Sequence, residues 1–152
     1  MLLALSSLAS STCASDGTPA PPDLGGRVVF SSTDESLGVR VADSDDERAF
    51  GLMGVESLPA DEGMAFVYDE PSSGYFWMRN TLIPLSIAFV DASGRIFAIE
   101  EMTPCTTDDC PTWDAGGAAF TLAIEANAGW FRDHGVSVGD RAELEEHASD
   151  TE

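Results

Sequence analysis

The strongest constraint on this chain is a hairpin signal: Leu85 to Val90 and Arg95 to Ile99 flank Asp91-Ala92-Ser93-Gly94. Gly94 stands where a tight turn needs a positive φ, and Asp91 can bond its own backbone. Strand signals of the same kind fill the rest of the chain. Arg27 to Phe30 and Leu37 to Val41 are short β-branched runs around a polar turn, which predicts a second hairpin. Met64 to Tyr68, Gly74 to Met78, Ala119 to Glu125 and Arg141 to Leu144 read as further strands, the last entered through a turn at Val136 to Asp140. Helix signals are few. Ser44 and Glu47 form a capping box, which opens a short helix expected to run through Leu52 or Met53 and stop at Gly54. Asn127 caps a second short helix to Asp133, ended by Gly135. Roughly seven to nine strands with one or two short helices predict a mainly β fold, a compact sandwich or barrel-like single domain.

Length and composition set the frame for that domain. With 152 residues, 43% of them hydrophobic, there is material for one packed core. Leu2 to Leu8 is a short apolar run followed by small residues through Ala14, so residues 1–14 read as an export or lipoprotein segment, too short to span a bilayer. Cys13 is the candidate lipid-attachment site, although Ser10-Ser11-Thr12 fits that signal poorly. Residues 15–23 form a Ser-, Gly-, Thr- and Pro-rich linker, residues 24–144 the β domain, and residues 145–152 an acidic tail. No internal repeat is present. The formal net charge is −20, and all seven basic residues are Arg. Such a surface repels nucleic acid and anionic membranes. It suits a high-salt habitat, where screening tames self-repulsion, and equally a high-GC genome.

Cys105 and Cys110 stand with four residues between them. In an exported chain a pair this close is a disulfide candidate. Free thiols are the alternative, and a metal site is the other; for metal the companions are missing, since His134 and His147 are far along the chain.

The residues richest in binding chemistry are Phe76-Trp77-Met78-Arg79-Asn80-Thr81-Leu82-Ile83-Pro84-Leu85. Large apolar side chains run into a fixed cation, an amide and a hydroxyl, a mix suited to a lined pocket. A structural turn is the competing reading, with Asn80 left-handed and Arg79 paired to a carboxylate such as Glu125. Trp77, Trp113 and Trp130 offer an aromatic platform or plain core. Met53, Met64, Met78 and Met102 lack the close spacing of a copper loop and read as core. Asp91, Glu100, Glu101 and Glu125 are the carboxylates a hydrolase would draw on. Neither a Gly-x-Ser-x-Gly elbow nor a phosphate loop is present.

Five blocks occur in order: Arg48 to Met53, Gly63 to Phe66, Phe76 to Thr81, Ile83 to Leu85, and Glu125 to Trp130. Together they resemble the domain-of-unknown-function family number 192, an uncharacterised ancient conserved region of bacteria and archaea. The resemblance spans about Val28 to Leu144. It implies a compact β-sandwich-like fold and, often, export as a lipoprotein or secreted protein; it implies no established activity. The Cys105 and Cys110 pair looks like that of exported members. Two departures stand out. Ser86 occupies a position that is usually acidic, and Ala118-Ala119-Phe120 keeps the usual aromatic but not the usual Arg.

These readings favour an exported or surface-tethered domain that binds a small ligand or an envelope protein over one that transforms it, with enzyme status left open. The expected site comprises Arg48, Trp77, Met78, Arg79, Asn80, Thr81, Glu125, Asn127 and Trp130, with Arg79 as anchor, and neither cofactor nor metal. Membrane contact is expected only through a lipid anchor. A cell-envelope hydrolase using a carboxylate in the cleft, and a purely structural accessory domain, are the alternatives. The hydrolase requires a perturbed carboxylate in a cleft.

Overall fold

A computed structural model describes residues 24–147. The expected export segment with Cys13, the linker 15–23 and the tail from residue 148 onward lie outside the described residues.

The fold is mainly β, with two short helices and an open sheet. Strands β1 (Gly26–Phe30), β2 (Ser36–Ala42), β3 (Glu62–Ser72), β5 (Leu85–Val90), β6 (Ile96–Met102), β8 (Phe120–Asn127) and β9 (Ala142–Glu146) build one seven-stranded sheet in the order β6-β5-β8-β3-β2-β1-β9. Strands β4 (Tyr75–Trp77) and β7 (Thr112–Asp114) form a separate two-stranded ribbon. All pairings in the large sheet are antiparallel except β2 with β3, whose connection carries helix α1 (Asp45–Phe50). Helix α2 (Trp130–Asp133) follows β8.

Both expected hairpins form, β1–β2 and β5–β6. The second turns on Asp91, whose carboxylate accepts from the backbone N–H groups of Ser93 and Arg95, with Gly94 at φ 83°. The sheet curls until its edges touch at one corner. There the Ile96 N–H donates to the Asp140 carbonyl and the Gly139 N–H to the Ile96 carbonyl, both at 2.8 Å. The result is a curled sheet that does not close into a barrel.

Curling gives the sheet two distinct apolar faces. Val28, Phe30, Val39, Ile124, Trp130 and Phe131 belong to one core cluster, closed by α2. Phe66, Phe76, Met78, Ile87, Phe89 and Phe120 belong to the other, closed by the β4–β7 ribbon and the turn after α1. Strands β5 and β8 and the first half of β3 therefore have both faces covered, and all six residues of β5 are buried. This is the unbroken apolar pattern of a strand without a solvent face.

Three expectations are corrected. Helix α1 ends at Phe50 rather than at Leu52 or Met53, because Gly51 adopts φ 51° and its N–H bonds back to Glu47. Asn127 does not cap α2. It ends β8, and its amide donates to the carbonyls of Leu58 and Pro59 while Gly129 takes the cap position. The last strand runs two residues beyond Leu144, through Glu146, and Arg27 pairs with Glu145 at 2.7 Å.

Gly63 of β3 leaves no room for a side chain beside β8. A Cβ there would lie 2.1 Å from the Glu125 carbonyl oxygen and 2.8 Å from Leu37 Cδ2. Backbone cannot yield as a side-chain tip can, so Gly63→Ala should cost roughly 2–4 kcal/mol, read from the urea midpoint. An unchanged midpoint would mean the two strands have slack.

Candidate functional site

Glu125 is the side chain on which the site turns. It lies in the centre of β8, opposite Met64 of β3 and Ile87 of β5. Period-two alternation puts it on the same face as Ala123, looking into the second core cluster. It is 4% exposed, and among the described residues its carboxyl has neither a hydrogen-bond donor nor an ion-pair partner. Its flanking residues, a thioether and an alkyl chain, cannot donate a hydrogen bond. Burial alone pushes its pKa from 4.5 to about 8, because an apolar site penalises the charged form.

The carboxyl faces a cleft of about 290 Å³. Phe66 and Tyr68 of β3, two residues apart, supply one wall; Tyr75, Phe76 and Trp77 of β4 supply another; Arg48, Phe50 and the turn after α1 supply the third. Phe76 points inward, edge-on to Phe66 with centroids 5.0 Å apart, whereas Tyr75 and Trp77 stay exposed at the mouth. Thr81 adds a buried hydroxyl.

Local chemistry fixes each wall. Ser44 and Glu47 complete the capping box, which starts α1 and holds the Glu47 carboxyl below its ordinary range. Arg48 Nη1 then donates to the carbonyls of Asp43 and Val67, both at 2.7 Å, Nη2 pairs with Asp45 at 2.6 Å, and the guanidinium stacks 4.8 Å over the Tyr68 ring. Burial raises the Tyr68 hydroxyl pKa, and Arg48 partly offsets it. Gly54 N–H donates to the Asn80 carbonyl at 2.9 Å, tying the α1 turn to the turn at Met78–Thr81. Asn80 there has φ 55°, a left-handed conformation. A disulfide joins Cys105 and Cys110, and Cys105 bridges to both Arg79 and Thr81. Of the three readings of the cysteine pair, the structure selects the disulfide.

The expected site residues divide into two groups. Arg48, Trp77, Thr81 and Glu125 line the cleft. Met78 is buried in the core beneath it. Arg79 lies outside, 5.6 Å over the Trp77 ring and 3.6 Å from Asp108, and does not pair with Glu125. Asn80 is an exposed turn residue, and Asn127 is engaged with backbone carbonyls. Trp130 is buried in the other core cluster, its indole N–H donating to Asp61 and its ring stacked on His134. Ala49, Phe50, Gly51, Leu52, Met53, Phe66, Tyr68, Tyr75 and Phe76 complete the lining and were absent from the expected set. One sequence signal for them existed: Met64, Phe66 and Tyr68 alternate on the same face as Glu125.

Ser86, at the usually acidic position, is fully buried. It donates to Glu101 Oε1 at 2.8 Å and accepts from the Gly129 N–H at 2.7 Å. A neighbouring strand thus brings a carboxylate to that position, and the hydroxyl fastens β5 to β6 and to the start of α2. Among the described residues, no cluster of three or more His, Cys, Asp or Glu is placed to hold a metal ion. None of their helices is long and apolar enough to cross a membrane.

A family model described as an uncharacterised ancient conserved region, domain of unknown function 192, matches residues 28–144. No curated protein matches the chain. Two crystal structures are similar. One is a Sinorhizobium meliloti 1021 protein provisionally named a transcription regulator, 31% identical with a TM-score of 0.69 over 78% of this chain and 92% of its own. The other is a protein of unknown function from Novosphingobium aromaticivorans DSM 12444, 31% identical with a TM-score of 0.69 over 77% of this chain and 83% of its own.

Two measurements test the site's energetics. Unfolded, Glu125 ionises near 4.5; folded, it keeps its proton to about 8. Between those values the folded state binds the extra proton, so stability falls as pH rises through that window. Glu125→Gln, always neutral, should match the parent below about pH 4 and exceed it by on the order of 4 kcal/mol above about pH 8. Equal stabilities at high pH would mean the carboxyl is solvated. Replacing both Cys105 and Cys110 by Ser should cost about 2 kcal/mol in a thermal melt, because the bridge closes only a short loop.

Proposed function

The chain belongs to the uncharacterised ancient conserved region family, and from that premise we propose that it is an extracytoplasmic domain that binds a small ligand in the Glu125 cleft. One observation carries the reading. Glu125, 4% exposed and without a protein partner among the described residues, sits at the base of an open, aromatic-walled cleft, where its carboxyl oxygens keep a little contact with solvent. A carboxyl whose pKa burial raises this far, set in an aromatic cleft, is the kind of group a binding or catalytic site uses. A self-satisfied polar cluster, as a purely structural role would require, is not what surrounds Glu125.

The disulfide supports an oxidising compartment. Export through residues 1–14, followed by secretion or lipid attachment at Cys13, fits that compartment. A DNA-contacting role, which the name of the Sinorhizobium protein proposes for that protein, runs against a net charge of −20.

A second reading, acid–base chemistry in an envelope hydrolase, draws on the same raised Glu125 pKa. Glycoside hydrolysis takes two carboxylates, and Glu125 is the one carboxylate among the lining residues. Slow turnover of a bound ligand by the parent, absent in Glu125→Gln, would move the assignment to catalysis.

A thermal-shift screen of envelope sugars, peptides, amines and small carboxylates, in low and high salt, tests the binding reading. A ligand at a hundred times its Kd adds about 2.7 kcal/mol. The shift should vanish in Ala49→Trp, which fills the cleft from α1, and survive in Arg79→Ala, on the outer face. The opposite pattern would put the site at Arg79, and a blank screen would sink the reading.

A further inference from the structure

We infer that the group this cleft takes is an organic cation, an ammonium head seated among the aromatic rings against the Glu125 carboxylate. The inference rests on the binding-site reading above and adds the chemical class of the ligand.

Four observations carry it. First, the carboxyl has Met64 and Ile87 as its cross-strand neighbours, and among the described residues no cation pairs with it. Second, the walls present rings: Phe66, Tyr68, Tyr75, Phe76 and Trp77. Ring faces attract cations, more strongly when water is excluded. Tyr68 already holds one in this way, the Arg48 guanidinium at 4.8 Å. Third, Arg48, the one cation in the lining, is engaged by Asp43, Asp45 and Val67. Three of its five N–H donors are taken, which leaves only Nε–H and one Nη2–H. Fourth, the chain carries a formal charge of −20, a field that draws cations in and turns anions away. The cleft, at about 290 Å³, admits an amine with a ring or a short chain.

The titratable groups facing Glu125 from the packed elements are Arg48 of α1, Tyr68 of β3 and Tyr75 of β4; among the described residues the lining includes no His and no second carboxylate. Near neutral pH the empty cleft therefore holds Glu125 as the acid. Entry of the cation ionises it. The O–H bond breaks, the proton leaves for solvent, and the carboxylate pairs with the incoming ammonium. Binding is thus coupled to release of a single proton.

The experiment is calorimetry on the full chain with benzylammonium, benzyltrimethylammonium and, as neutral isostere, benzyl alcohol. Each is titrated into the parent, Glu125→Gln and Ala49→Trp, in buffers of different ionisation heat. The expected result is that both cations bind the parent and release about one proton near pH 7. Their affinity should climb roughly tenfold per pH unit below about pH 8 and level off above it. Glu125→Gln, still folded by its melt, should bind at least tenfold more weakly with no proton released. Benzyl alcohol binding as tightly as the cations, independent of pH and blocked by Ala49→Trp, would overturn the cation assignment and leave the binding site standing. The same holds if both cations fail while another screened class binds in the cleft. If nothing binds there, both readings fall together.

Discussion

Everything in this fold follows from a sheet whose central strands have no solvent face. Strands β5 and β8 and the first half of β3 are covered on one side by α2 and on the other by the β4–β7 ribbon and the α1 turn. A strand so placed must send each side chain into one core or the other. Apolar residues fill nearly all these positions, and burial of their surface drives the fold. Glu125 is the one buried charged residue of these strands; Asp69 and Glu70 lie where β3 runs out to the surface. An ionisable group there is a standing penalty, so its presence marks a place where packing has yielded to something else.

The covering layer decides what that something can be. Had the ribbon and the α1 turn closed fully over β8, Glu125 would be sealed among Phe66, Phe76 and Ile87. They stop short, and the gap between them is the cleft. Its depth comes from the sheet and its mouth from two small elements pinned by polar chemistry. One is fixed by the capping box and Arg48, the other by the Cys105–Cys110 loop that bridges to Arg79 and Thr81. Rigid floor and fastened rim are the conditions for a pre-formed site.

Local signals in the sequence were sufficient for the frame. The Asp91–Gly94 turn and the Ser44–Glu47 box depend on residues within four positions of one another, and both form as the residue types require. What failed was long-range. Asn127 has the chemistry of a helix cap, but the same amide serves equally well to pin the Leu58–Pro59 segment, and only tertiary placement distinguishes the two. Strand β7 has three residues, two of them polar, with no periodicity to read. The block around Trp77 to Thr81 was singled out correctly as unusual, yet its most conspicuous cation, Arg79, faces away from the cleft while Trp77 and Thr81 line it. Glu125 stood in the expected set, but its lack of a partner arises from Met64 and Ile87, on strands about forty to sixty residues away.

Helix α1 has no buried residue. Its own attachment is the Arg48 contacts, and core anchorage begins only with Leu52 in the turn that follows; segments with few buried contacts open locally at a free energy below that of global unfolding. Residence time in the cleft is then a property of α1, set by Arg48 and its acceptors, while stability is a property of the sheet. The two can be tuned apart: a change at Asp45 would speed exchange with the melting temperature nearly fixed, and a change at Gly63 would do the reverse.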